Sequence, residues 1–266
     1  MKTELEVARE AAIEAGKILK KYFTSNQYWV KEKGINNPVT KADCEADEFL
    51  RTYLLDNFPN YGWLSEETKD SSDRLNKKYT WIIDPLDGTK EFIAGMPEFV
   101  VSIGLVEDGR PVIGVIYNPM KNELYSAEVG KGAELNNTSV SVTQERDLSN
   151  AFAMVSRTEV ADGLWDSYRK LFKDFKHCGS VAYKLANLAA GRVDIVISLK
   201  PKNEWDICGG HCLVVAAGGV FKRIDGQDVF YNQSKVTRIP NGIVGGNAEI
   251  VRRALEVFNN QYRYCK

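Results

Sequence analysis

A chain of 266 residues with 44% hydrophobic side chains is long enough to bury a sizeable core, as one large α/β unit or as two packed halves. Its 35 Lys and Arg nearly cancel its 36 Asp and Glu, for a formal net charge of −1. That balance excludes a global field that would recruit a nucleic-acid polymer or an anionic membrane, so an anionic ligand has to be held by local charge.

In chain order, Leu5, Ala8, Ala12, Ala15, Ile18, Leu19, Tyr22 and Phe23 recur at helical spacing and predict a first amphipathic helix. This stretch lacks the apolar core of a signal peptide and no run elsewhere reaches membrane-spanning length, so a cytoplasmic protein is expected. A second helix is expected from Thr40, whose hydroxyl can cap it, with Asp43 in the first turn and Ala46, Phe49, Leu50, Tyr53 and Leu54 on its apolar face. Pro59 to Gly62 ends it, and Trp63-Leu64-Ser65 leads into Glu66-Glu67. Residues 69–78 read as an exposed loop. From residue 79, five apolar runs separated by turn residues predict an antiparallel or mixed sheet that continues to about residue 136. The pattern then restarts with a strand at 151–156, a helix at 160–174, a helix from 181, a strand at 193–198, a helix after Trp205 and short strands near 220 and 243. This is an α/β (α+β) chain layered twice, with a boundary that divides residues 1–145 from 146–266.

Cys44, Cys178, Cys208, Cys212 and Cys265 form an odd, scattered set that fits reduced thiols better than disulfides. Cys208, His211 and Cys212, with His177 and Cys178, can be drawn as a zinc site. Cys208 and Cys212, however, sit four apart in an apolar helical pattern, where small buried thiols are ordinary packing residues.

The chemistry concentrates at residues 80–92, TWIIDPLDGTKEF. An apolar strand ends here in Asp84-Pro85, and because Pro85 biases Asp84 towards an extended backbone, Asp84 is expected to finish the strand. Asp87, Gly88 and Thr89 follow, where a helix start would offer free backbone N–H groups to an anion. Hard oxygen ligands beside such donors suit Mg²⁺ holding a phosphoryl group. The same residues also suit a plain capped strand exit. An EF-hand is disfavoured, because its ligands alternate through a longer loop that ends in a bidentate Glu. An aspartyl nucleophile of the haloacid dehalogenase type needs its two carboxylates two residues apart on one strand face. Here they stand three apart with Pro85 between, which favours cation-activated water instead.

Four blocks taken together resemble the lithium-sensitive, Mg²⁺-dependent phosphatase superfamily of inositol monophosphatases, fructose bisphosphatases and bisphosphate nucleotidases. They are Pro38-Val39-Thr40-Lys41-Ala42-Asp43, Gly62-Trp63-Leu64-Ser65-Glu66-Glu67, Trp81 to Thr89, and Glu204-Trp205-Asp206 with Gly218-Gly219. The resemblance implies a layered αβαβα sandwich of the sugar-phosphatase type with two or three Mg²⁺ per site. It assigns Glu66, Asp84 and the Leu86 carbonyl to one cation, and Asp84, Asp87 and Asp206 to a second. Most ligands then lie in the N-terminal half, with Asp206 and the substrate rim in the C-terminal half. It further implies that Asp43, Thr89 and Glu66 serve catalysis, that Asp87, Gly88 and Thr89 bind the phosphate, and that Glu67 lies near the same site.

Lys90-Glu91-Phe92, with Gly-Trp-Leu-Ser-Glu-Glu and Glu-Trp-Asp, looks like the bacterial 3′(2′),5′-bisphosphate nucleotidases of sulfur metabolism, which convert 3′-phosphoadenosine 5′-phosphate to AMP and phosphate. Such a substrate needs donors beyond the cations. Lys200, Lys202 and Glu204 are the candidate rim, with Gly179 and Ser180 as further donors; an ordinary charged loop and a plain helix start are the competing readings. An inositol or sugar-phosphate phosphatase on the same scaffold is the first alternative, and a non-catalytic ligand sensor or assembly protein is the second. The expected partner is a small phosphate ester bound by a monomer or homodimer.

Overall fold

The computed structural model describes residues 2–34, 37–233 and 238–264, with side chains to residue 258; Cys265 lies outside the described residues. The chain begins with α1 (Glu4–Ser25), started by a capping box in which Thr3 and Glu6 satisfy each other's backbone N–H. The hairpin β1 (Val30–Gly34) and β2 (Asn37–Thr40) follows, then α2 (Lys41–Asn57) with Thr40 as its cap. Ala8, Ala12 and Ala15 on α1, with Ala42 and Ala46 on α2, are fully buried small residues that let the two helices approach closely.

The large sheet runs in the order β3 (Gly62–Ser65), β4 (Tyr79–Asp87), β5 (Val100–Glu107), β6 (Arg110–Asn118), β7 (Glu123–Glu128), β8 (Gly132–Leu135) and β9 (Thr138–Val140). Only β3 and β4 are parallel; the rest is an antiparallel meander, so the sheet is mixed. α3 (Thr89–Ile93) sits between β4 and β5. The second sheet contains β10 (Phe152–Ser156), β11 (Asp174–Cys178), β12 (Ile195–Ser198), β14 (Val220–Arg223) and β16 (Ile243–Gly246), in the order β11-β10-β12-β16-β14. A small ladder joins β13 (Lys202–Asn203) to β15 (Arg238–Ile239). The helices of this part are α4 (Arg157–Ala161), α5 (Val181–Ala189), α6 (Glu204–Ala216) and α7 (Ala248–Tyr264).

The layers follow from which faces are apolar. α1 and α2 cover one face of the large sheet through a core that includes Leu19, Leu50, Trp81, Ile83 and Val101. α5 and α6 fill the space between the sheets with Leu185, Leu188, Ile207 and Leu213, meeting Ile82 and Ile116 on one side and Val196 and Phe221 on the other. Ile250, Val251, Ala254 and Phe258 of α7 close the outer face of the second sheet. This is an α/β sandwich of five layers, αβαβα. Among the described residues no helix is long and apolar enough to cross a membrane.

Three local expectations change. β4 does not stop at Asp84 but continues through Pro85 to Asp87: Asp84 pairs with Ser102 and Asp87 with Val100, so three steps on β4 oppose two on β5. A bulge therefore re-aims these carboxylates without ending the ladder. The helix expected at 160–174 is the five-residue α4 followed by turns, because Gly163 adopts φ 74° and Trp165 turns inward to 1% exposure. α7, whose buried residues recur at helical spacing, is an element that the short-strand reading of the C-terminal segment leaves out. The zinc-like drawing also fails among the described residues: Cys208 and Cys212 are fully buried in the shared core and His177 is exposed.

Candidate active site

The end of β4, the loop after β3 and the first turn of α6 converge on one pocket of about 290 Å³, lined by Glu66, Asp84, Leu86, Asp87, Gly88, Thr89 and Asp206 together with Lys90, Glu91 and Lys202. Glu66 follows β3, and its N–H donates to the Ile83 carbonyl at 3.2 Å, which fastens it to β4. Asp206 sits in the first turn of α6 and accepts the Asn203 N–H at 2.8 Å. Oxygens of Glu66, Asp84 and Asp206 lie within 4.8 Å of one another.

Bringing acids so close in a dry place has an electrostatic consequence. Burial first, then Glu66, Asp87 and Asp206, raises the Asp84 pKa well above the usual carboxylate range. Burial pushes Asp206 to about 7, helped by Asp87 and Glu66. Asp87 rises only to about 6, because Ser180 Oγ donates to its Oδ2 at 2.7 Å and the Ala182 N–H does so at 2.5 Å. A cluster of this kind is relieved by positive charge: Lys184 acts on Asp87 and Lys202 on Asp206, and a third lysine pairs with Glu66. The Lys33 ammonium, carried by the β1–β2 hairpin, stands 2.9 Å from Glu66 Oε1 and 2.6 Å from Glu67 Oε1. Burial opposes its charge, but Glu66 and Glu67 hold its pKa above the ordinary lysine value.

Asp43 satisfies two roles at once. Its Oδ2 accepts the Thr40 N–H at 2.7 Å and the Thr40 hydroxyl at 2.6 Å, completing the cap of α2. Its Oδ1 lies 3.1 Å from Thr89 Oγ1, which is also 3.1 Å from the Leu86 carbonyl, so the threonine proton has two acceptors. Burial raises the Asp43 pKa against these hydrogen bonds. Gly88, the cap of α3, holds φ 103°, and a Cβ there would stand 2.9 Å from the Glu98 carbonyl; only glycine meets both demands.

The expected substrate rim is redistributed. Lys202 lines the pocket, whereas Lys200 is turned to the exposed Asp162 in an ion pair. Glu204 is fully buried, accepts the Asn232 N–H at 2.6 Å and is pushed by burial to about 7; it belongs to packing beneath α6. Ser180 is likewise fully buried and spent on Asp87 and on capping α5 through the Tyr183 N–H at 3.0 Å. Gly179 does line the pocket, but a Cβ there would fall 1.6 Å from Glu91 Oε1, so its role is to let Glu91 in. Glu67 faces Lys33 outside the pocket lining, and burial raises its pKa to about 7. Lys33, Thr158 and the holding role of Ser180 carry no periodic or motif signal. Lys90 stands inside the quoted motif, but its position on the pocket wall depends on the short α3.

Oxygen-only donors on both sides of a pocket, beside a threonine–aspartate pair, suit a hard divalent cation next to a proton acceptor. The inositol monophosphatase family model matches residues 1–256, and the chain belongs to that family. It is 35% identical to inositol monophosphatase 3 of Solanum lycopersicum, over 81% of this chain and 84% of that protein. It is 34% identical to the Nus factor SuhB of Escherichia coli K12, over 94% of each. Among solved structures it resembles the Thermotoga maritima IMPase (TM-score 0.85, 26% identity, 98% of this chain and 99% of that one). It also resembles the Bartonella henselae extragenic suppressor protein SuhB (TM-score 0.84, 29% identity, 95% and 97%).

Proposed function

We propose that this family member is a Mg²⁺-dependent phosphomonoesterase that hydrolyses 3′-phosphoadenosine 5′-phosphate to AMP and phosphate. One observation carries the reading: the pocket holding Glu66, Asp84, Asp87 and Asp206 is also lined by the ammonium-bearing Lys90 and Lys202. The carboxylates fit a small hard cation, since every side-chain donor is oxygen and burial with mutual repulsion disfavours their charge until positive charge arrives. Glu66, Asp84 and the Leu86 carbonyl would hold one Mg²⁺, and Asp84, Asp87 and Asp206 another. Bound there, Mg²⁺ supplies Lewis-acid stabilisation of the phosphoryl oxygens.

The chain's own residues do the rest. As a water attacks phosphorus and the 3′ ester P–O bond breaks, the water hands its proton to Thr89 Oγ1 while the threonine proton moves to Asp43 Oδ1, and the departing 3′ oxygen takes a proton from solvent; the 3.1 Å contact for the relay is already made. The raised Asp43 pKa favours that acceptance. Backbone N–H groups of Gly88 and Thr89 would hold phosphate oxygens at the start of α3. Lys90 and Lys202 would take the second phosphate, as charge-assisted donors.

A polyol monophosphate is the second reading, favoured by the name of the Solanum relative. Measuring kcat/KM with Mg²⁺ on 3′-phosphoadenosine 5′-phosphate and inositol 1-phosphate separates the two. The bisphosphate is expected to lead by about tenfold, roughly 1.4 kcal/mol in transition-state binding. An equal lead for inositol 1-phosphate overturns the choice, and no turnover of these or of sugar phosphates, with Asp84→Asn unchanged in every property, favours the non-catalytic ligand sensor or assembly protein.

A further inference from the structure

Glu159 lies on α4, outside the carboxylate cluster, with a side chain 1% exposed. Five groups converge on it. Ser198 Oγ donates to Oε1, the Leu199 N–H to Oε2 at 3.1 Å, the Lys200 N–H to Oε1 at 3.3 Å and the Trp165 indole to Oε2 at 3.2 Å. The fifth is the Lys202 ammonium, 3.5 Å from Oε1. Burial pulls the Glu159 pKa up, but Lys202 and the hydrogen bonds from Ser198 and Leu199 outweigh it and leave the pKa below the ordinary value. A buried anion so supplied is a fixed point.

Three of those donors are consecutive residues that lead from the last position of β12 towards β13, and Lys202 follows two residues later. One carboxylate therefore sets the course of the segment that brings Lys202 to the pocket wall. The neighbours of Glu159 anchor α4 to the same place. Thr158 lines the pocket, and Arg157 pairs with Glu98 at 2.6 Å and with Glu91 at 3.8 Å, gripping the α3 side. Of the other cations nearby, Arg157 pairs with Glu91 and Glu98, the Lys200 ammonium pairs with Asp162 and the fully buried Lys184 donates to the Cys178 carbonyl at 3.3 Å, which leaves Lys202 as the ammonium in contact with Glu159. A free lysine carries its charge on a flexible four-carbon stem and loses entropy on binding an anion; one already tethered loses less.

We infer that Glu159 is a positioning residue for substrate selection: by clasping residues 198–202 it holds the Lys202 ammonium where the second phosphate of a bisphosphate substrate lies. This rests on the reading of Lys202 given above. The Mg²⁺-loaded enzyme is assayed on 3′-phosphoadenosine 5′-phosphate and on adenosine 3′-phosphate, which lacks the second phosphate. In Glu159→Gln the ratio of kcat/KM between the two falls about tenfold, through a higher KM for the bisphosphate with its kcat kept. Glu159→Asp, which retains the charge, recovers most of the ratio. Lys202→Gln lowers the ratio similarly, and the double variant goes no lower than Lys202→Gln alone. Thermal midpoints are read in parallel. An unchanged ratio in Glu159→Gln, or an equal loss on both substrates, overturns the inference. So does an unchanged ratio in Lys202→Gln, whose partly exposed site keeps the test readable if Glu159→Gln does not fold. A wild type with no preference for the bisphosphate instead overturns the substrate reading, and the inference falls with it.

Discussion

Asp84 is the residue where cost and use meet. It is 2% exposed, surrounded by Glu66, Asp87 and Asp206, and held above the ordinary carboxylate pKa by burial and those neighbours. A structural role would not place it so, because an isolated packing site favours an apolar side chain over a crowded acid. Asp84→Asn should therefore abolish phosphatase activity, by about a thousandfold or more, if it holds a cation in the reacting complex. Its thermal midpoint without divalent cation should stay level or rise, since one anion has left a repulsive cluster. A calorimetric midpoint well below wild type, or activity within about tenfold, counts against the assignment. Ser180 shows why sequence misplaces some residues: its hydroxyl reads as a substrate donor, but helix packing buries it and turns it to Asp87.

Elements decide how these side chains are aimed. The bulge between Asp84 and Asp87 puts both on the pocket side while β4 keeps its pairing with β5, and Pro85 is tolerated because a bulge leaves its missing N–H without consequence. The three-residue spacing was legible in the sequence and so was the Thr40 cap with Asp43 in the first turn of α2, because both are local. The length of α4 and the parallel pairing of β3 were not, since each depends on partners far along the chain that override local propensity, and the approach of Asp206 to Glu66 was implied only by the family resemblance. The β1–β2 hairpin is the clearest case: β1 is exposed at every residue, with no apolar pattern, and yet it delivers Lys33 to Glu66 and Glu67. This ammonium would compete with a divalent cation held by Glu66. Lys33→Gln should raise Mg²⁺ affinity about three- to tenfold in calorimetric titration without substrate. It should also lower stability in the absence of Mg²⁺ by about 1 kcal/mol, the pair being only partly buried. Weaker Mg²⁺ binding in this variant would make Lys33 a helper of the cation and not its rival.

At the scale of the whole molecule, the layer between the sheets carries both a pH limit and Asp206, one acid of the carboxylate cluster. His211 on α6 is held neutral: burial first, then Arg110, lowers its pKa from 6.5 to about 3, and its Nδ1 lies 2.9 Å from the Tyr231 hydroxyl. The unfolded chain then binds the proton more readily than the folded one between those values. The contribution to stability is complete above the unfolded pKa and is lost as pH falls towards the folded one. From about pH 7.5 to about pH 5 the loss from this group is about 2 kcal/mol, and urea midpoints of His211→Gln should show a correspondingly flatter pH dependence. An identical dependence in both proteins would place the acid sensitivity elsewhere.

A cation held by this cluster would couple the two sheets, because Asp84 belongs to the large one and Glu66 directly follows its β3, while Asp206 is carried by α6 between the sheets. A ligand bound by the folded chain alone stabilises it by about 2.7 kcal/mol at a hundred times its dissociation constant. With an unfolding entropy of about 2.1 cal/mol/K per residue, that amounts to a rise of about 5 °C in thermal midpoint for a chain of this length. Mg²⁺ should produce that rise in the wild type, and chelation should reverse it. In Asp84→Asn the rise should shrink to about 1 °C or less, because the ligand shared between the two proposed cation positions is gone. If the full rise persists in that variant, Mg²⁺ stabilises the protein from somewhere else, and the cluster at the end of β4 loses its claim to the cation.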